Sequence, residues 1–563
     1  MTPRIKISFL LLLLTLHVGG QVENINQKLR QTAAQFGQAV VEITYPGRTA
    51  ADRLSKSFSV DRYHDGKLTI VLSPPEVDDF IRTGYGFDLL PGKPFPYTSS
   101  DMKGLAAYDF QSYPTFSQYD SLMRSLATGY PAICKLDTIG FSIRGKLILA
   151  LKISDNVNID ENEPEVFYTS SMHGDELGGY VLMMRLADYL ARNYSNPGLA
   201  RTLVQNLEIW INPLSNPDGT YGTGNTITAP VRANANGIDL NRNFPDPFYP
   251  GNVPEKENID MIKFLRAHHF VLSANFHGGS EVVNYPWDRW LSKFHADDAW
   301  FNNISRAYAD TVHNYSSGYL IDLDNGVTRG AVWYVIYRGR QDFVTWELQG
   351  REVTIELDDI KQTPPAQLEL LWQHNYRSLL RYLESATFGI QGTVQNNVNQ
   401  QPVPAKIFIQ GYDKDSSHVY SDTLDGTFRR YLMPGTWNLT FSSRGYRDTI
   451  ITTVVTARQK TELNVRMTPL TTKVDTADPD HPFVYPNPSS GAFYCIAPPD
   501  YSGQVVVTLI STSGTVTYRS MESCSPGVPF LVSADRLASG TYILSIRSVG
   551  GGRVARARVV ILK

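Results

Sequence analysis

Between about residues 105 and 387 the chain alternates two textures. Short runs rich in β-branched and aromatic residues recur at Glu165–Ser170, Leu207–Asn212, Phe270–Phe276 and Glu352–Leu357. Between them, Tyr180–Tyr189, Glu255–His268 and Pro365–Ser385 carry apolar residues at helical spacing. The runs predict strands buried on both faces and the spaced segments predict amphipathic helices. Strands alternating with helices predict an α/β domain with a mixed, largely buried sheet flanked by helices. Ligands of such folds collect at the carboxyl ends of strands.

The flanks read differently. Residues 21–104 form a small α+β unit, with a strand over Ala39–Thr44 and a short helix over Pro75–Arg82, ending in the Pro-rich run Pro91–Pro96. Its place ahead of the α/β domain (105–387) makes it a candidate propeptide. Beyond Thr387 short alternating strands separated by turns predict a β-sandwich over 388–468, at Gly389–Val394, Ala405–Gln410, Thr436–Phe441 and Thr461–Val465. A polar linker, 469–482, leads to a second β-sandwich-like unit, 483–563. No solenoid repeat is present.

A length of 563 residues is consistent with several domains, and 42% hydrophobic with 19% charged residues is ordinary globular composition. The net charge of −3 gives no reason to expect nucleic acid as a partner. Arg4 and Lys6 precede an apolar stretch, Ile7 to Val18, and then Gly19–Gly20, the pattern of a secretory signal over residues 1–20. That stretch is too short to span a bilayer comfortably, and no other is long and apolar enough. The three cysteines exclude a disulfide framework. Cys134 reads as a buried small hydrophobe, whereas Cys495 and Cys524 are free to pair or not.

The densest chemistry is Ser171-Met-His-Gly-Asp-Glu176, where a strand end feeding a helix aims His173 and Glu176 at one point. A catalytic zinc needs three such donors and one open position. His277 ends an apolar strand before two glycines; alone it reads as a packed histidine, but beside His173 and Glu176 it reads as the third donor. Glu356 interrupts an apolar run. It reads equally as a general base, which a zinc-bound water requires, and as an outward-facing side chain of an edge strand. Arg232, Asn241 and Arg242 cluster in an aperiodic segment, either a solvated loop or a fork matched to a carboxylate.

The ordered set His173-x-x-Glu176, Asn216-Pro-Asp-Gly219, Arg232, Asp239-Leu-Asn-Arg-Asn-Phe244, His277-Gly-Gly279 and Glu356 resembles the zinc carboxypeptidase family, in its N/E/D-like branch. The resemblance implies one zinc ion on His173, Glu176 and His277, Arg232 polarising the oxyanion, Asn241 and Arg242 holding the substrate's terminal carboxylate, Glu356 as base and acid, and Tyr334 as the lid tyrosine. In basic-specific relatives an Asp follows the Asn-Tyr-Pro-aromatic motif. Asp288 falls there and Gln341 matches the polar residue at the pocket base, which implies peptides ending in Lys or Arg as substrates.

Two departures stand out. Lys146 replaces the family's Arg, which affects the outer subsites. Arg338 and Arg340 flank a pocket meant for cations, which makes sense only if both point to solvent. Residues 388–468 resemble the transthyretin-like domain of this branch. The last eighty resemble a type IX secretion sorting domain, with Tyr485-Pro-Asn-Pro-Ser-Ser-Gly491, Leu537–Tyr542 and a basic end. These resemblances imply the type IX secretion machinery as a partner and the surface or medium of a Gram-negative bacterium as the location. Competing readings are a carboxypeptidase of cell-wall peptides and a non-catalytic, peptide-binding surface protein.

Overall fold

The computed structural model describes residues 24–92, 95–97, 108–470, 481–550 and 554–563. The apolar leader, most of the 469–482 linker and part of Pro91–Pro96 lie outside them. No helix among the described residues is long and apolar enough to cross a membrane. The chain divides into two compact units, 1–468 and 469–563.

The first unit opens with a four-stranded sheet ordered β2-β3-β1-β4, from β1 (Ala39–Thr44), β2 (Ser59–His64), β3 (Lys67–Leu72) and β4 (Asp88–Leu89). Helices pack on it around Leu29, Val41, Ile70 and Phe80. The predicted helix over Pro75–Arg82 forms as a 3-10 turn, Pro74–Glu76, running into an α-helix, Val77–Arg82.

Eight strands then build the central sheet: β5 (Cys134–Phe141), β6 (Leu147–Ile153), β7 (Glu165–Ser170), β8 (Glu208–Asn212), β9 (Phe270–His277), β10 (Ser280–Tyr285), β11 (Val327–Arg329) and β12 (Arg351–Asp358). Their order is β11-β10-β12-β9-β7-β8-β6-β5. The core quartet β12-β9-β7-β8 is parallel, and β10 and β6 join it antiparallel. The fold is thus α/β with a mixed sheet. Both faces are covered, which is why the strands read as unbroken apolar runs. Val166 and Tyr168 point to a core with the helices Gly178–Asn193 and Leu368–Ser385. Phe167, between them in sequence, points to the other core with Phe264 and Leu265 of the helix Lys256–Ala267, as the two-residue period of a strand requires. All three predicted helices form.

The sheet positions the site in two ways. The parallel strands β7, β9 and β12 share one carboxyl end. In the parallel pairing Glu356 lies directly opposite His277. β12 is an interior strand between β9 and β10, so the edge-strand alternative for Glu356 is excluded.

Residues 389–467 form two further sheets around Ile390, Val394, Phe428 and Phe441. The predicted strand Thr461–Val465 is instead two short ones, Lys460–Glu462 and Val465–Met467, both parallel to Gly389–Asn396. The break lies over Gly392, where a Cβ would come within 2.1 Å of the Leu463 carbonyl oxygen. In the second unit, a three-stranded and a four-stranded sheet enclose Phe493, Val505, Val507, Leu544 and Ile546. Cys495 and Cys524 are buried there as free thiols, and Cys134 is a buried free thiol in the first unit.

Candidate active site

Ser171 follows β7 in a left-handed turn, φ 52°, with its hydroxyl donating to the Glu176 carbonyl at 2.8 Å. This tight return sets His173 and Glu176 on one wall of a cleft, and His277 at the tip of β9 forms the other. His173 Nδ1 lies 2.9 Å from Glu176 Oε1, His277 Nδ1 lies 2.8 Å from Oε2, and the two Nδ1 atoms are 3.0 Å apart. All three side chains are buried.

The remaining ring nitrogens are spoken for. His173 Nε2 lies 3.0 Å from Asp239 Oδ1. His277 Nε2 lies 2.8 Å from the Asn275 amide, whose Oδ1 is buried without another partner. Turning that amide so that Oδ1 accepts from Nε2–H satisfies both groups. With both rings neutral, the imidazoles present Nδ1 lone pairs to one point, beside a carboxylate. Against burial and Arg232, the carboxylates of Glu176 and Asp239 raise His173 above its ordinary value, a proton that a bound metal ion displaces. That donor set suits zinc, and a partner fixing the far nitrogen of each ring is the usual support of a metal-binding histidine. Burial, with help from the other cations nearby, pushes the His277 imidazolium down to about 4, which keeps the ring neutral. Burial alone raises the Glu176 carboxyl, but His173 and His277 overcome it and hold it well below the usual range.

Glu356 is buried, and its Oε2 has no hydrogen-bond partner. Burial first, then the carboxylates of Glu176 and Asp61, push its carboxyl well above the ordinary value; the charge of a bound divalent ion acts in the opposite direction. Arg232 donates from Nε to Asp239 at 2.9 Å and from one terminal nitrogen to Glu176 at 3.2 Å. Asn241 and Arg242 line the same cleft with Tyr334, whose ring meets Trp333 at 4.8 Å.

The N-terminal sheet closes this cleft. Strand β2 crosses it: Ser59 donates to Asp239 at 2.7 Å, the Val60 carbonyl accepts from Arg242 at 3.0 Å, and Asp61 accepts from Arg232 at 2.9 Å and from Lys361 at 2.6 Å. Gln38, just before β1, reaches Asp175 and the Arg232 amide. Tyr334 packs against the core of the N-terminal sheet. About 20 Å³ of free space is left among these groups, room for a water or two and not for a peptide.

A model of the zinc carboxypeptidase family matches residues 119–378. Carboxypeptidase D of Rattus norvegicus is 32% identical over 424 residues, 72% of this chain and 30% of that protein. The catalytic chain of carboxypeptidase N of Rattus norvegicus is 31% identical over 405 residues, 63% of this chain and 87% of that one. The chain belongs to the zinc carboxypeptidase family. It spans about a third of the length of the carboxypeptidase D relatives that it matches. The crystal structure of carboxypeptidase A from Helicoverpa armigera shares the fold, with a TM-score of 0.50 at 17% identity, over 62% of this chain and 97% of that one. The family binds zinc, and the His173, Glu176 and His277 donors are the group that fits it here.

Within this zinc carboxypeptidase fold, Asp288 lies behind the cleft wall. It is buried, and its Oδ1 accepts from Asn284 at 3.0 Å and from Gln341 at 2.9 Å. Asn284 lines the cleft. Gly330 completes the wall, since a Cβ there would come within 1.8 Å of Asp288 Oδ1. Burial is the main cause that lifts the Asp288 carboxyl to about 7, with Asn284 and Arg242 pulling it back.

The expectation that Arg338 and Arg340 both point to solvent is corrected. Arg340 is fully buried and pairs with Glu352 of β12 at 3.1 Å, beneath the sheet and with its charge neutralised. Arg338 donates to the carbonyls of Tyr249 and Pro250 and lies over the Tyr249 ring. Lys146 turns to the Gly222 carbonyl at 2.8 Å and toward Asp218. Sequence reasoning missed Asp61, Gln38, Asn275 and Lys361 as members of the site. Asn275 carried a signal, two residues before a candidate ligand on the same strand face. Asp61 and Gln38 carried none, because only tertiary packing brings their segments to the cleft.

Proposed function

We propose that this protein is a zinc-dependent exopeptidase that removes C-terminal Lys or Arg from peptides. The observation that carries the reading is the position of Glu356: a buried carboxylate with an unpartnered oxygen, in register with His277 and facing the three donors.

Zinc, when bound, lowers the pKa of a water and polarises a carbonyl. The side chains supply the rest. Arg242 and Asn241 hold the terminal carboxylate, with the planar guanidinium matching its two oxygens. Arg232, fixed by Asp239 and Glu176, places its remaining donors toward the oxyanion that develops on the scissile carbonyl. Glu356 Oε2 takes a proton from the attacking water and returns it to the leaving amine. Asp288, held by Gln341 and by the wall residue Asn284, puts its charge behind the departing residue's side chain. An ammonium or guanidinium there compensates a charge that the neutral donors Asn284 and Gln341 leave unbalanced. Tyr334 covers bound substrate.

The same reading takes residues 1–20 as an export signal and 21–104 as a propeptide. It takes 388–468 as a transthyretin-like domain and 483–563 as a type IX sorting domain, which suits an exported enzyme of a Gram-negative surface. The basic-then-apolar leader and the two sandwich folds support it.

The test is release of the last residue from matched peptides ending in Lys, Arg, Ala, Phe or Glu, with and without a chelator. Chelator-sensitive release of Lys and Arg alone is expected. Release of Phe or Ala instead removes the Asp288 specificity, and release of nothing by zinc-loaded protein freed of the β2 obstruction favours a peptide-binding surface protein.

A further inference from the structure

Lys361 has no role in the reaction just described, yet its ammonium reaches the cleft. The residue follows β12 in the turn Asp358–Thr363, and its carbonyl accepts from the Leu177 amide at 2.8 Å, which pins it beside the metal-donor turn. Gly279 makes room for the stem: its φ is 119°, and a Cβ there would come within 3.2 Å of Lys361 Cε. The ammonium lies 3.6 Å from Glu176 Oε1 and 4.0 Å from Asp175, and bonds to neither. It bonds to Asp61 at 2.6 Å.

Asp61 therefore reports what this corner of the cleft accepts: a carboxylate held between Arg232 and Lys361. Its neighbour Val60 places a carbonyl oxygen on Arg242, where the terminal carboxylate of a substrate belongs under the proposed function. One residue further along β2 lies the Arg232–Lys361 pair. A peptide must end at Arg242 whereas β2 runs on from it, so the two chains pass in opposite directions and the likeness is one of position. The residue before the leaving one then sets its side chain beside Lys361.

We propose that Lys361 is a specificity-determining residue that favours substrates with an acidic penultimate residue, Asp or Glu, ahead of the C-terminal one. This deepens the proposed function and rests on it for the placement of the substrate's end at Arg242.

The experiment uses the full chain, zinc-loaded, with Asp61→Ala to free the ammonium and Glu356→Gln to stop turnover. Binding of benzoyl-Ala-Glu-Lys and benzoyl-Ala-Ala-Lys is measured by calorimetry. The glutamyl peptide is expected to bind about tenfold tighter, the order of a charge-assisted hydrogen bond in a partly exposed place. Lys361→Met is expected to erase the difference and Lys361→Arg to keep it. Equal affinities in the parent, a difference that survives Lys361→Met, or binding of neither peptide overturns the proposal. The same chain with Glu356 intact separates the two readings. Preferential binding of the glutamyl peptide without release of lysine refutes the exopeptidase and leaves the Lys361 preference standing. Release of lysine from both peptides at one rate refutes the preference alone.

Discussion

Asp61 and Arg232 are 171 residues apart in sequence, and their carboxylate and guanidinium meet at 2.9 Å in the middle of the cleft. The contact ties the N-terminal sheet to the group that the proposed mechanism assigns to the oxyanion. Burial alone would raise the Asp61 carboxyl, but Lys361 and then Arg232 hold it below its ordinary value, so it stays ionised while buried. The full-length chain is therefore expected to hydrolyse slowly. Asp61→Ala removes both charge-assisted bonds, and the rate of lysine release by the intact chain is expected to rise about tenfold. Adding Ser59→Ala, which removes the 2.7 Å bond to Asp239, raises it further. An unchanged rate in both variants means that the segment does not obstruct the cleft.

Glu356→Gln keeps the shape of the side chain and removes its capacity to accept a proton. The expected result is a fall in kcat of about a thousandfold, within the usual range for a positioned general base. Zinc content and peptide Kd are expected to stay close to the parent's. A parallel loss of zinc, measured by metal analysis of the purified variant, assigns Glu356 to the metal centre instead.

Much of this architecture is legible in the sequence because each core strand announces itself on both faces. Val166, Phe167 and Tyr168 are all apolar since helices cover the sheet on either side. Register then carries chemistry: once β9 and β12 pair in parallel, His277 and Glu356 are neighbours. Contacts between distant elements are not legible. Asp61 sits on a strand with polar and charged neighbours, Arg62 and His64, and reads as solvated. Arg340 reads the same way until the fold supplies Glu352 beneath it. Charge at a position says nothing of its partner when the partner lies on another element.

The Asp288 carboxyl, lifted to about 7 mainly by burial, gives a pH signature. A raised carboxyl pKa means a neutral acid below it and a carboxylate above it. Attraction for a substrate ammonium is thus present above pH 7 and fades as pH falls through it. For Lys-ending peptides kcat/KM is expected to drop about tenfold per pH unit below that point, as one titrating group requires. Any residual release from Ala-ending peptides lacks this step. Asp288→Asn is expected to abolish the difference in pH profile and to lower kcat/KM for Lys peptides about a hundredfold, the cost of losing a desolvated charge partner.

A last expectation concerns how the sandwich of residues 389–467 is fastened to the catalytic sheet. Asp297 is buried and accepts from Arg430 at 2.6 and 3.0 Å and from Arg351 at 2.7 Å, while Arg430 also reaches Asp413 at 2.7 Å. Arg351 begins β12, the strand that carries Glu356. Burial would raise the Asp297 carboxyl, but the two guanidinium groups hold it far below its usual value. Removing one member of such a network strands opposite charges in the interior, at a cost of about 3–5 kcal/mol. Replacing charges by apolar groups of similar volume leaves none stranded and is often neutral. Asp297→Asn is therefore expected to lower stability by that amount in urea unfolding followed on the first unit. The fourfold change Asp297→Leu, Arg351→Met, Arg430→Met and Asp413→Asn, which also removes the carboxylate that Arg430 would leave behind, is expected to cost less than the single one, despite removing four charges. If the fourfold variant is instead less stable than Asp297→Asn, the ion pairs themselves, and not the avoidance of unpaired charge, hold the sandwich to β12.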